Sequence, residues 1–211
     1  MLIIGMTGGI GSGKSEALKI FESFNVKVID LDKISKEITE TNSDAIKEIK
    51  LSFGNTLFNE KNQLDRKKLK EIIFSSKKQK IKLESILHPK ILNDVKKKLA
   101  VLSNETYIVI DIPLLFETNQ YINFISRSLV IDCEIKNQID RVKKRDEVDE
   151  STIQSVIANQ IDRDARIKKG DDVVFNNGSL KMLASNIKKI HNKYLNLVVD
   201  KQNQPDNTNK N

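Results

Sequence analysis

The sequence predicts an α/β domain in which a five-stranded parallel sheet is flanked by helices. Five short segments are rich in β-branched residues and apolar on consecutive positions, which is typical of strands covered on both faces. Helical stretches lie between these segments, and strands that alternate with helices indicate a parallel sheet. The predicted strands are residues 2–6, 27–30, 107–111, 128–132 and 172–175.

The composition limits the number of domains and the kinds of partner. The chain has 211 residues, of which 38% are hydrophobic, and we therefore expect a single domain with one core over residues 1–200. The net charge of +7 favours anionic partners, which include phosphorylated small molecules, nucleic acids and anionic lipids. Aromatic residues make up only 5% of the chain and there is no tryptophan. A surface that stacks on bases is thus not expected, and neither is a nucleic-acid partner.

The sequence has none of the features of a membrane anchor or a signal peptide. No apolar run approaches the roughly 20 residues that span a bilayer, and the apolar start at residues 1–5 is short and lacks a basic leader. Cys133 is the only cysteine, so no internal disulfide can form. We expect a cytoplasmic protein without a membrane partner. The oligomeric state is left open by these features.

A long insertion separates the second predicted strand from the third. Residues 31–106 are far more than one crossover helix needs, and we interpret about 34–103 as an inserted helical arm. Within it, Asp65 is expected to cap one helix, and Pro89 is expected to stand at the first position of another.

A second insertion, at about 136–169, lies between the fourth and fifth predicted strands. We interpret it as a helical lid. Ser151 and Gln154 have the spacing of a capping box, and Gly170 is expected to end the helix that they begin. Residues 201–211 contain almost no residue that could pack in a core and are predicted to be a disordered tail.

A glycine-rich loop follows the first predicted strand. Residues 8–15 read Gly-Gly-Ile-Gly-Ser-Gly-Lys-Ser, which matches the P-loop pattern between a strand and an amphipathic helix. Glycines let several backbone N–H groups turn toward one phosphate chain, and the helix N-terminus attracts anions. The alternative is a glycine-rich turn that only joins strand to helix.

Three polar side chains complete the expected phosphate site. Lys14 is predicted to bridge the β- and γ-phosphates, and the Ser15 hydroxyl to bind Mg²⁺. Asp111 ends a predicted strand, where a carboxylate is suited to the same metal ion. The alternative for Asp111 is a residue that only forms the turn after the strand.

Two aspartates follow the second predicted strand. The carboxyl ends of parallel strands share one edge of a sheet, so Asp30 and Asp32 are expected near the P-loop. A carboxylate there could accept the proton of an attacking hydroxyl, and Asp32 is the preferred candidate. The alternative is that either aspartate caps the following helix.

Two arginines of the predicted lid lie four residues apart, and hence on one helix face. Arg141 and Arg145 could stabilise the negative charge that develops on the transferred phosphoryl group. The alternative is a solvated basic helix whose arginines pair with acidic residues such as Asp146.

The order of these motifs resembles the dephospho-coenzyme A kinase family from about residue 2 to residue 194. The resemblance rests on residues 7–15, 29–32, 53–54, 64–66, 83–84, 88–89 and 111–115, on Arg141, Arg145, Gln160, Arg163 and Arg166, and on residues 171–178. It implies a P-loop kinase fold and transfer of phosphate from ATP to the ribose 3′-hydroxyl of dephospho-CoA. It also implies that Asp32 is the catalytic base and that Asn176 lies near the ATP base.

The complete set of candidate residues follows from the loop and the resemblance together. Catalytic roles are predicted for Lys14, Asp32, Arg141 and Arg145, ATP binding for Gly8, Gly9, Ile10, Gly11, Ser12, Gly13, Lys14, Ser15, Glu16 and Asn176, and Mg²⁺ binding for Ser15 and Asp111. One rival interpretation is a P-loop kinase for a nucleoside monophosphate or a sugar acid. Another is a nucleotide-dependent switch or binding protein.

Overall fold

The computed structural model describes residues 1–40, 43–60 and 63–203. Five strands form one parallel sheet in the order β2-β3-β1-β4-β5. They are β1 (Leu2–Gly8), β2 (Lys27–Asp30), β3 (Tyr107–Asp111), β4 (Arg127–Asp132) and β5 (Asp172–Phe175). All five predicted strands are confirmed, with β1 extended to Gly8 and β4 beginning one residue earlier.

Ten α-helices lie within the described residues. They are α1 (Lys14–Ser23), α2 (Leu31–Ile38), α3 (Asp44–Phe53), α4 (Arg66–Ser75), α5 (Lys77–Val101), α6 (Leu115–Thr118), α7 (Ile135–Asp146), α8 (Glu150–Ala158), α9 (Arg163–Lys169) and α10 (Leu180–Asn203). Over this part of the chain, no helix has an apolar stretch long enough to cross a membrane.

The chain divides into two compact units. The first combines Met1–Ile29 with the chain from Ser103 onward. Its core is formed by fully buried side chains of the central strands, such as Ile4 and Leu129, and by Phe21 of α1 and Tyr194 of α10. Because β1 is the middle strand and is buried over most of its length, the loop that follows it is anchored at a rigid point of the sheet.

The second unit is Asp30–Leu102, which consists of helices and nearly coincides with the predicted arm. Its core includes Ile49, Leu57, Leu69 and Leu83. Asp65 caps α4 as expected, because its carboxylate accepts hydrogen bonds from the backbone N–H groups of Lys67 and Lys68. The role of this unit in binding an acceptor stays a prediction.

The expectation for Pro89 is wrong, because Pro89 lies inside α5 rather than at its start. The helix begins after Ser76, whose hydroxyl accepts from the backbone N–H of Gln79. Proline removes one backbone donor from a helix interior. Leu83 on one side of Pro89 and Ile91 and Val95 on the other are all buried, and this packing keeps the helix continuous.

The predicted lid corresponds to α7, α8 and α9, and its internal boundaries differ from those expected. Asp149, not Ser151, caps α8 by accepting from the backbone N–H of Thr152. Helix α8 ends at Ala158. Gly170 instead follows a separate helix, α9 (Arg163–Lys169), which Asp162 caps at its N-terminus. At the end of the chain, α10 extends through Asn203, and the remainder of the predicted tail, residues 204–211, lies outside the described residues.

Candidate active site

The glycine-rich loop connects β1 directly to α1. Gly13 caps α1 with φ +95°, a left-handed conformation that favours glycine. A Cβ atom at Gly13 would also lie 2.1 Å from Nδ2 of Asn176. Any larger residue at this position would therefore push the loop away from the segment after β5.

Two side chains hold the carbonyl groups of the loop. Nδ2 of Asn176 donates to the Ser12 carbonyl oxygen at 2.8 Å. Nη1 of Arg141 lies 3.3 Å from the carbonyl oxygens of both Gly11 and Ser12, and Nη2 donates to the Asn176 carbonyl oxygen at 2.8 Å. The structure thus places Asn176 and Arg141 against the loop, where they join it to α7 and to the end of β5.

Lys14 and Asp111 contact each other at the carboxyl end of the sheet. Nζ of Lys14 lies 2.7 Å from Oδ1 of Asp111, and the two side chains are 17% and 10% exposed. The sequence predicted that one of them binds phosphate and that the other binds Mg²⁺. Their ion pair shows that the predicted phosphate ligand and the predicted metal ligand lie side by side.

The remaining loop residues differ in their surroundings. The Ser12 hydroxyl oxygen is buried and has no hydrogen-bond partner among the described residues. Ser15, at the start of α1, is exposed. Glu16 is in the first turn of α1 and its carboxylate pairs with Nζ of Lys19 at 2.7 Å.

The two predicted lid arginines have different environments. Arg141 is half-buried against the loop, whereas Arg145 is exposed. The Arg145 guanidinium donates two hydrogen bonds to the Asp146 carboxylate, at 2.7 and 2.6 Å. These bonds hold the pKa of Asp146 below its usual range. The direct role of Arg145 in phosphoryl transfer stays a prediction.

The arginines of α9 also lie near the carboxyl end of the sheet. Arg163 donates to the fully buried carboxylate of Asp132, at 2.6 Å for its shortest bond, and this bond raises the pKa of Arg163. Arg166 is only 5% exposed, and its burial lowers its pKa. Asp132 was not selected as a candidate from the sequence, although it ends β4 as Asp111 ends β3.

Gln160 is a further contact of the loop that the sequence did not identify as such. Its Oε1 atom accepts a hydrogen bond from the backbone N–H of Ile10 at 3.1 Å. Gln160 lies between α8 and α9, in the segment that also contains Ile161. The sequence indicated Gln160 only as one of the residues that carry the family resemblance, and that resemblance does not show which atoms Gln160 contacts.

In the helical unit, the two candidate aspartates, Asp30 and Asp32, have different environments. Asp30 is the cap of α2, and its carboxylate accepts from the backbone N–H of Lys33 at 2.9 Å. Asp32 is exposed in the first turn of the same helix. The capping alternative thus applies to Asp30.

An open groove in the same unit is lined by Thr39, Glu40, Gln63, Leu64 and Arg66. Nη2 of Arg66 donates to the Thr39 hydroxyl at 2.9 Å. His88 is not among these lining residues and lies on α5. Burial lowers the pKa of His88, although the negative charge of Glu84 acts in the opposite direction.

Comparison with known proteins gives one consistent result. A family model described as dephospho-CoA kinase matches residues 2–182. The dephospho-CoA kinase of Thiobacillus denitrificans is 40% identical over 201 residues, which cover 95% of this chain and 99% of that protein. That of Nitrosospira multiformis is 36% identical over 197 residues, with coverage of 93% and 98%.

Two solved structures are similar over nearly the whole chain. TT1252 from Thermus thermophilus superposes with a TM-score of 0.81 at 26% identity, covering 91% of this chain and 97% of that one. The dephospho-CoA kinase from Campylobacter jejuni has a TM-score of 0.68 at 28% identity, with coverage of 96% and 98%.

Proposed function

The chain belongs to the dephospho-CoA kinase family, and we propose that it transfers the γ-phosphoryl group of ATP to the ribose 3′-hydroxyl of dephospho-CoA. The products are coenzyme A and ADP. The observation that carries this proposal is the family match over residues 2–182, because it includes both the P-loop and the helical unit. A kinase for nucleoside monophosphates or sugar acids is not favoured by that match.

ATP is proposed to bind along the loop from Gly8 to Glu16, with Asn176 beside it. The loop fits a phosphate chain because Gly13 has a conformation that lets the backbone curl at the start of α1. Lys14, at the same helix terminus, is suited to the β- and γ-phosphates. Binding of ATP would then exchange the Asp111 carboxylate for phosphate oxygens as the partner of Lys14.

Mg²⁺ is proposed to bind to Ser15 and Asp111. A hydroxyl and one carboxylate suit Mg²⁺, which is commonly held by few protein ligands together with phosphate oxygens and water. Within the described residues, no cluster of three or more histidine, cysteine, aspartate or glutamate side chains could hold a metal ion by itself. Mg²⁺ supplies positive charge that neutralises the phosphate oxygens.

Asp32 is proposed to act on the acceptor. Its exposed carboxylate would accept the proton of the 3′-hydroxyl as the new bond between that oxygen and the γ-phosphorus forms and the bond to ADP breaks. Arg141 is proposed to act as a positioning residue, because its guanidinium holds the carbonyl groups of the loop. For Arg145, a direct contact with phosphate would require it to leave Asp146.

The proposal places the reaction in the cytoplasm. The acceptor carries a free thiol, and the cytoplasm is the compartment that keeps thiols reduced.

The proposal is tested by supplying the purified chain with ATP, Mg²⁺ and one acceptor at a time. Dephospho-CoA should yield coenzyme A and one ADP per product, identified by mass. Coenzyme A itself is the matched control acceptor, because its 3′-position already carries phosphate. Adenosine monophosphate and a sugar acid test the rival kinases. Faster phosphorylation of either rival acceptor, or ADP release that does not depend on an acceptor, would contradict the proposal.

A further inference from the structure

The carboxylate of Glu117, on the short helix α6, has two oxygens in different environments. Oε1 accepts a hydrogen bond from the backbone N–H of Ile161 at 3.1 Å. Oε2 is buried and has no hydrogen-bond partner in the part of the chain that the structure describes. A carboxylate oxygen in this state is costly, because burial removes its water and no donor replaces it. A neutral amide or hydroxyl oxygen could accept the same bond without that cost, so the charge of Glu117 needs a separate explanation.

The segment that carries Glu117 is fixed to the central strand of the sheet. Oγ1 of Thr7, near the end of β1, donates to the Pro113 carbonyl oxygen at 3.2 Å. Two side chains of α6 itself, those of Leu115 and Phe116, are buried. Glu117 is thus held by the same strand that leads into the glycine-rich loop.

The helices on either side of Ile161 have few buried side chains. In α8 the buried residue is Ile153, and in α9 it is Arg166. Short helices in proteins are stabilised mainly by the apolar face that they pack against the rest of the molecule. Polar contacts are therefore important for the position of this part of the chain, and the bond from Ile161 to Glu117 is one of them.

Arg166 is bonded to the same residue as Glu117. Its Nη2 atom donates to the Ile161 carbonyl oxygen at 2.9 Å. Burial lowers the pKa of Arg166, and the negative charge of Glu117 opposes this lowering more strongly than that of Asp132 or Asp162. The Glu117 carboxylate thus offsets part of the cost of burying a guanidinium, which explains why a charged residue stands where a neutral acceptor would satisfy the N–H.

Both neighbours of this carboxylate lead to the glycine-rich loop. A Cβ atom at Gly9 would lie only 2.8 Å from Nη1 of Arg166. Gln160, which precedes Ile161 in the chain, accepts from the Ile10 backbone N–H at 3.1 Å. A shift of Ile161 would therefore move two contacts of the loop together, and a misplacement of about 1 Å can cost a reaction 10²-fold in rate.

We infer that Glu117 is a positioning residue, which sets the place of Ile161 and of Arg166 beside the glycine-rich loop. It does so through two separate properties. Oε1 fixes the backbone of Ile161, and the negative charge stabilises the buried guanidinium of Arg166. The inference rests on the proposed function for the reaction that this arrangement assists.

Two substitutions in the full-length protein separate the two properties. Glu117→Gln keeps an oxygen that can accept from the Ile161 N–H but removes the charge, whereas Glu117→Ala removes both. Thr118→Ala is the matched control, because Thr118 is the next residue of α6 and its hydroxyl donates to the Leu114 carbonyl oxygen at the start of the same helix. Should Glu117→Ala fold poorly, Glu117→Gln still provides the test of the charge.

Hydrogen–deuterium exchange measures the bond to Ile161 directly. In Glu117→Ala the exchange of the Ile161 amide should accelerate at least tenfold, because a hydrogen bond to a charged acceptor is lost. The increase should be smaller in Glu117→Gln and absent in Thr118→Ala. Exchange in Glu117→Ala within twofold of the parent would show that Glu117 does not hold this segment, and would overturn the inference.

Turnover of dephospho-CoA, measured well below the melting temperature, tests the effect of the charge. Glu117→Gln should lower turnover at least tenfold in the parent, but by less than about threefold in a protein that already carries Arg166→Gln, because two residues that act together are not additive. A merely structural role would lower the melting temperature and leave the turnover of the folded protein unchanged. That result, or equal losses in the two backgrounds, would contradict the inference.

The proposed function can fail separately from this inference. A parent protein that binds a non-hydrolysable ATP analogue but does not phosphorylate dephospho-CoA would contradict the proposed function. The same pair of backgrounds would then be compared by calorimetry, as the loss of affinity for that analogue caused by Glu117→Gln. The loss should again be smaller in the presence of Arg166→Gln, and equal losses would overturn the inference.

Discussion

The sheet has an amino edge, where its strands begin, and a carboxyl edge, where they end. Both edges bury charged side chains, but the partners of these charges differ. At the amino ends of β4 and β5, the buried carboxylate of Asp172 accepts hydrogen bonds from Arg127, Lys193 and Tyr194. At the carboxyl ends, Lys14 pairs with Asp111 and Arg163 with Asp132, but the buried Arg166 has only neutral oxygens as hydrogen-bond acceptors among the described residues.

We expect the first network to be structural and the second to belong to the proposed nucleotide site. At the amino edge, a single carboxylate satisfies two cations and a hydroxyl, and all of them come from the chain itself. At the carboxyl ends, Arg141 and Arg166 donate to backbone carbonyl oxygens instead, and the charge of the nearby Glu117 carboxylate partly offsets the lowering of the Arg166 pKa by burial. Burial of charged groups alone therefore does not indicate function, because a buried network can be purely structural.

The largest effect is expected for Asp32→Asn, which changes a residue that follows the carboxyl end of β2 in the chain. Asparagine has the same shape but cannot accept the proton, so the rate of phosphoryl transfer should fall about 10²- to 10⁴-fold. Rapid-quench rates, with affinities measured separately, provide the test. Asp30→Asn is the matched control, because asparagine caps a helix nearly as well as aspartate. A loss of about tenfold or less would mean that Asp32 only orients the hydroxyl.

Lys14→Ala should lower turnover on the order of 10²- to 10³-fold, the usual cost of removing one donor to developing charge. The protein should stay folded, because Lys14 lies at the rim of the core and not within it. Steady-state kinetics and circular dichroism would be compared with Lys19→Ala, which removes an exposed lysine from the same helix. Parent-like ADP formation by the folded variant would show that the loop does not bind the reacting phosphates.

Arg141→Ala should have a smaller effect, up to about 100-fold in kcat/KM for ATP, because it displaces the loop without removing a ligand of the phosphates. The variant Lys144→Ala, an exposed position on the same helix, is the control. Kinetics and thermal melting should be measured together. If only the melting temperature falls, Arg141 has no more than a structural role.

Asp172→Asn should affect stability and leave the chemistry unchanged. The loss of a buried carboxylate that bonds two cations should lower the free energy of unfolding by about 1.5–3 kcal/mol at pH 7. Turnover below the melting temperature should match that of the parent, because Asp172 lies at the amino edge of the sheet. A selective loss of turnover without a loss of stability would contradict the comparison of the two edges.

The same residue gives a pH dependence with a defined sign. Burial alone would raise the pKa of Asp172, but the bonds from Arg127 and Lys193 outweigh it, so the pKa is lower in the folded protein. The stability that this carboxylate contributes is present above its unfolded pKa of about 3.9 and is lost as the pH falls through its folded pKa. In urea titrations, the difference between parent and Asp172→Asn should therefore shrink from about pH 4 downward.

Local patterns in the sequence were sufficient to predict the strands of the sheet and the glycine-rich loop. Each strand is a short, nearly continuous apolar run, and burial on both faces is what produces such a run. The P-loop is recognisable because glycine, lysine and serine are required at fixed positions for backbone reasons. The helices of the Asp30–Leu102 unit were predicted less accurately. Proline usually begins or interrupts a helix, but the buried side chains on both sides of Pro89 keep α5 continuous through it.

The sequence by itself determined the sheet, the phosphate loop and the family, because these depend on residue type and spacing along the chain. Only the tertiary structure decided which charged residues meet. The spacing of Arg141 and Arg145 shows that they share a helix face, but it does not show that one contacts the loop and the other Asp146. Nor does it show that Arg166 is buried beside Gly9, because partners of a charged group come from elements far apart in the sequence.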